Sequence, residues 1–124
     1  MAREHFHDDD EPWDYTLQRE DTEWMVRDLK GKKIATPGQP IDLDIQFIPL
    51  AVGANADRFM DALRTAGFEA GAWEEDGERL VEATAKGAEF SIKSIWGHEK
   101  RATEIAIKHG FAPDGWGFSE DDDQ

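Results

Sequence analysis

Two carboxylates, Asp42 and Asp44, stand two positions apart in the run Ile41-Asp42-Leu43-Asp44-Ile45-Gln46-Phe47, where large apolar side chains alternate strictly with polar ones. Extended backbone puts such a pair on one face roughly 6.5–7 Å apart, a spacing also found between carboxylates that share acid–base work. An exposed strand face has no pocket to perturb a carboxyl pKa, so the pair reads instead as the wet side of a half-buried strand. The histidines offer no better chemistry. His5 and His7 adjoin Asp8, Asp9 and Asp10 in a polar segment without fixed ligand geometry. His98 and His109 are eleven residues apart on one expected helix, about three turns, too far to share a ligand. There is no cysteine, no nucleophile elbow and no glycine-rich phosphate loop. We therefore expect no catalytic residue, no metal site and no cofactor: a protein that is not an enzyme.

Charge narrows the remaining classes. The 124 residues carry a net charge of -14, of which residues 1–23 supply -7 and the last five residues -4. A chain of this sign repels nucleic acid and anionic lipid and attracts basic partners through a long-range, salt-sensitive field; the acidic ends also favour solubility. No apolar run approaches the 18 or so residues of a membrane span, and the charged amino terminus is unlike a signal peptide. Together with the lack of cysteine, this leads us to expect a soluble, cytoplasmic protein, with no membrane partner and no direct binding to nucleic acid.

The elements that hold these residues can be read in order. Residues 1–20 read as an acidic, flexible tail, docked at most through Trp13 and Tyr15, and residues 119–124 as a second acidic tail, with one domain over 21–118 between them. A short helix is expected from Asp21, with Met25 and Leu29 on one face and Lys30, Lys32 and Lys33 gathered at its end. Thr36, Pro37, Gly38 and Pro40 then make a loop into the alternating strand from Ile41 to Phe47. A second helix starts at a cap on Asn55, carries Phe59, Ala62, Leu63 and Ala66 on one side, and stops at Gly67. Phe68 to Glu74 and Arg79 to Lys86 read as a hairpin turned by Glu75, Asp76 and Gly77. Ser91 can cap a longer helix bearing Ile92, Ile95, Ala102, Ala106 and His109 near one face, although Gly97 weakens its first turns and Phe90 to Ile95 can instead extend the strand. Ala112 to Gly115 reads as a turn before a short final strand from Trp116 to Phe118.

After the first helix the order is β-α-β-β-α-β. The expected class is α+β, a ferredoxin-like split βαβ sandwich preceded by an extra N-terminal helix. Two helices would cover the face of Ile41, Leu43, Ile45 and Phe47, and the opposite face would stay open, gathering Asp42, Asp44, Gln46, Trp73, Glu82 and Thr84. RNA-recognition domains place stacking aromatics among basic residues on such a face. Here the platform is acidic, which opposes RNA.

The run Asp114-Gly115-Trp116-Gly117, following a helix and reached from a strand pair containing Val81-Glu82-Ala83-Thr84-Ala85-Lys86, is similar to the family called regulator of ribonuclease E activity B. The acidic start, the helix ending at Leu29 and Gly31, the Pro-led strand at Ile41 and the helix closed by Ala66-Gly67-Phe68 resemble it too, over roughly residues 21–118. The resemblance implies a ferredoxin-like protein that binds the arginine-rich, noncatalytic part of ribonuclease E, lowers its endonucleolytic activity and so alters messenger RNA decay. It supplies no catalytic residue. Carboxylates that arginine grips in bidentate fashion are compatible with such a partner, and the candidate contact residues are Asp42, Asp44, Gln46, Trp73, Glu82, Thr84 and Trp116. The alternative is a general acidic interaction module, an adaptor or immunity-type protein, for another basic partner.

Overall fold

The computed structural model describes residues 13–51 and 53–120. Residues 1–12 and 121–124, which hold most of the expected acidic tails, lie outside the described residues, as does Val52. The architecture is α+β: helices α1 (Tyr15–Gly31), α2 (Ala56–Thr65) and α3 (Ile92–Lys108), and strands β1 (Pro40–Pro49), β2 (Glu69–Glu75), β3 (Glu78–Glu89) and β4 (Phe111–Glu120). The four strands form one sheet in the order β2-β3-β1-β4 with every neighbouring pair antiparallel. This is consistent with a ferredoxin-like arrangement.

Strand β1 lies centrally, and its alternation is realised in full: Ile41, Leu43, Ile45 and Phe47 are completely buried. Burying each contributes roughly 1.5–3 kcal/mol. Helices α2 and α3 supply Phe59, Leu63, Ile95, Ala102 and Ala106 to the same core, and Phe59 packs edge-on to Phe47 and stacks on Phe111 with ring centroids 5.1 Å and 4.8 Å away. The local signals at α2 act as expected. Asn55 accepts from the Arg58 N–H at 3.0 Å, and Gly67 beyond the last turn has φ +100°. Asp76 (φ +52°) and Gly77 (φ +81°) form a two-residue hairpin turn whose positive φ values match the twist of its strands.

Two elements, α1 and β4, depart from the sequence expectation. Helix α1 begins at Tyr15, not Asp21, because Asp14 caps it by accepting from the Leu17 N–H at 2.9 Å and Trp13 is buried beside it. The folded unit therefore takes in residues 13–20. At α3 the expected cap forms: Ser91 accepts from the Ser94 N–H at 3.1 Å and the helix starts at Ile92, while β3 runs past Lys86 to stop at Glu89. His109 caps α3, with Nδ1 2.9 Å from the Ile105 carbonyl and its ring stacked on the core residue Phe59 at 6.1 Å between centroids. Finally, Ala112 to Gly115 is strand and not turn. Gln46 pairs with Gly115 and Phe47 with Pro113, which leaves Asp114 as the extra residue of a bulge. Pro113 is tolerated because β4 is an edge strand, and the strand continues through Ser119 to Glu120, where a tail was expected.

Candidate functional site

Strand alternation and antiparallel register bring six of the seven candidate residues to the sheet face opposite the helices. Thr84 pairs with Asp44 and with Glu69, and Asp44 pairs on its other side with Gly117. One row thus reads Glu69, Thr84, Asp44, Gly117. The next reads Gly71, Glu82, Gln46, Gly115. Trp73, opposite Leu80, ends the platform and donates its indole N–H to Glu75 Oε1 at 3.2 Å.

The polar side chains on this face bond to one another. Thr84 Oγ1 donates to Asp44 Oδ1 at 2.7 Å, and Gln46 Nε2 donates to Glu82 Oε2 at 3.3 Å. A second bulge, between Ile41 and Leu43, sets Asp42 against both Lys86 and Gly87. Lys86 Nζ lies 2.8 Å from Asp42 Oδ2 and the Gly87 N–H donates to Oδ1 at 3.1 Å. The Lys86 ammonium, and next the Gly87 N–H, hold the Asp42 carboxyl below the usual aspartate range. Among the described residues of β1 to β3, Lys86 is the one cation on a face that carries Asp42, Asp44, Glu69 and Glu82. Among the described residues no helix covers this negative face, and its β4 side presents Gly115 and Gly117, which carry no side chain beside Asp44 or Gln46.

Trp116 does not join this platform. It pairs with Ile45 and packs with Phe118 against the buried core, on the helix-covered side. Its indole N–H points to Thr22 Oγ1 on α1 at 3.3 Å. There it meets a cluster the sequence reading missed. Gln18, Thr22, Glu99 and Thr103 are the buried polar side chains among the described residues, and all four meet in the seam between α1 and α3. Thr22 donates its hydroxyl to Glu99 Oε1, and Gln18 Nε2 donates to Glu99 Oε2 at 3.1 Å and to Thr103 Oγ1 at 2.9 Å. Trp13 closes the cluster, its indole N–H donating to Gln18 Oε1 at 2.7 Å. Burial pushes the Glu99 carboxyl up to about 7; the bonds from Thr22 and Gln18 pull it back in part, and the nearby Asp21 charge adds to the rise. The only sequence trace of this seam is two polar pairs at helical spacing, Gln18 with Thr22 and Glu99 with Thr103.

An open cavity of about 650 Å³ at the start of α3 is lined in part by Lys93, His98 and Arg101. Arg101 is already committed: its guanidinium bonds the Ala66 carbonyl at 2.6 Å and lies 4.9 Å from the centre of the Phe68 ring. Among the described residues no group of three His, Asp or Glu side chains is placed to hold a metal ion, and no helix is long and apolar enough to cross a membrane. Compared with protein-family models and with curated proteins, the chain matches none.

Proposed function

We propose that this chain is a noncatalytic binding module of ferredoxin-like topology, with α1 added before the β-α-β-β-α-β unit, that grips an arginine-rich segment of ribonuclease E and lowers its endonucleolytic activity. The observation that supports the reading is the acidic platform: Asp42, Asp44, Glu69 and Glu82 on one sheet face that no described helix covers, with Lys86 the one cation there among the described residues of β1 to β3. A guanidinium presents paired donors to a carboxylate, and an extended peptide repeats its side chains every two residues, the same period that separates Asp42 from Asp44. Arginines at alternate positions of a bound segment match this spacing. Trp73, diagonal to Glu82 across the β2–β3 ladder, offers a ring on which a guanidinium held by Glu82 can stack. Inhibition then follows by competition, since a basic segment neutralised by carboxylates no longer holds RNA. The similarity of residues 114–117 and 81–86 to the regulator of ribonuclease E activity B family supplies the partner.

The test is a binding titration of the purified chain with the basic scaffold region of ribonuclease E at several salt concentrations, followed by RNA cleavage with purified components. Binding that weakens steeply with salt, together with slower cleavage, supports the reading. Capture of a different basic protein, with cleavage unaffected, replaces ribonuclease E by that partner. Binding insensitive to salt rejects the electrostatic account.

A further inference from the structure

We propose that the seam between α1 and α3 is a proton-operated latch: α1 is locked onto α3 and β4 while Glu99 holds a proton, and opens locally when Glu99 gives it up. The geometry carries this. Glu99 is 4% exposed, and both of its oxygens face neutral donors, Thr22 and Gln18, with no ammonium or guanidinium bonded to it among the described residues. An ionised carboxylate in that position is desolvated without a counter-charge, which is among the costliest arrangements in a protein interior. Among the described residues the groups around it supply no opposite charge. From α1 the charged neighbour is Asp21, of the same sign; α3 itself adds the Thr103 hydroxyl, and β4 adds the Trp116 indole, which reaches the cluster through Thr22. His98, next in sequence, packs against Phe68 and lies beside Arg101.

The same cluster is what fastens α1. Gln18 and Thr22 bond to α3, Trp116 reaches Thr22 from β4, and Trp13 bonds to Gln18. Opening α1 therefore returns Glu99 to water, and the free energy of proton release is linked to the free energy of undocking. The raised Glu99 pKa supports this linkage and places the transition near neutral pH.

Amide hydrogen exchange of the full-length chain tests the latch, with rates corrected for the intrinsic pH dependence. For the central α1 amides, Thr22 and Val26, protection is expected to fall on the order of a hundredfold between pH 5 and pH 8, while remaining below that of Leu43 and Ile45 in β1 at every pH. Glu99→Gln, which keeps the shape and removes the proton equilibrium, is expected to abolish this fall. Thr22→Val removes a donor to the carboxylate and is expected to move the midpoint to higher pH, so the test does not rest on one variant. The proposal is overturned if Glu99→Gln keeps the wild-type slope, if α1 protection is flat with pH, or if α1 amides exchange only together with those of β1.

Discussion

Thr22 and Glu99, 77 residues apart in sequence, are hydrogen-bonded side chain to side chain inside the seam of α1 and α3. The bond ties α1, whose buried stripe is mostly polar, to α3; burial of the Glu99 carboxyl, which the bond only partly offsets, is what links this seam to pH.

Stability of the whole chain should carry that sensitivity. A carboxyl whose folded pKa lies near 7 and whose unfolded pKa is 4.5 binds its proton more tightly when folded, so stability is highest below pH 4.5 and falls as pH rises to 7. The loss is on the order of 3 kcal/mol, complete above pH 7. His98, whose pKa burial and then Arg101 hold down, acts in the opposite direction, favouring the fold as pH rises towards 6.5. The difference between wild type and Glu99→Gln isolates the glutamate: urea midpoints of the two proteins should diverge steadily from pH 4.5 to pH 7 and then run parallel.

On the sheet face, Asp44→Asn and Glu82→Gln remove charge while keeping shape. Each is expected to weaken binding of a basic segment by about 0.5–1 kcal/mol, two- to fivefold, and to reduce its salt dependence. Trp116→Phe, on the other face, should leave that affinity unchanged. Isothermal titration at two salt concentrations separates these outcomes.

Arg101→Lys keeps the charge but loses the fork that bonds the Ala66 carbonyl and lies over Phe68. The variant is expected to be destabilised by about 1 kcal/mol, measured as a lower urea midpoint with an unchanged slope.

Gly77, with φ +81° in the β2–β3 turn, meets no atom within 4 Å where a Cβ would stand, so the cost of Gly77→Ala is conformational. It should be about 1 kcal/mol and appear in thermal unfolding.

These elements differ in how far the sequence disclosed them, and the reason is locality. The burial of β1, the caps of α2 and the Asp76-Gly77 turn each depend on residues a few positions apart, so pattern and propensity sufficed. The six platform residues followed from alternation alone. Helix α1 did not, because its buried stripe is Gln18, Thr22 and Val26, and two of those three are polar. Their burial is explained only by Glu99 and Thr103, far along the chain. Strand β4 was disguised by Pro113 and Gly115, which read as turn residues until the Asp114 bulge on an edge strand accommodates them. That pairing also sets Trp116 opposite Ile45, separating it from the acidic residues with which it was grouped.

The spacing of the seam has a further effect. Gln18 and Thr22 are four apart on α1, and Glu99 and Thr103 four apart on α3, so the two helices mate like a keyed joint. Sliding α1 by one turn would set Val26 against the Glu99 carboxyl and strand a hydroxyl or an amide without a mate. Only one alignment satisfies all four groups, so this joint selects where α1 sits along its neighbour and excludes the slipped arrangements that a purely greasy interface would tolerate.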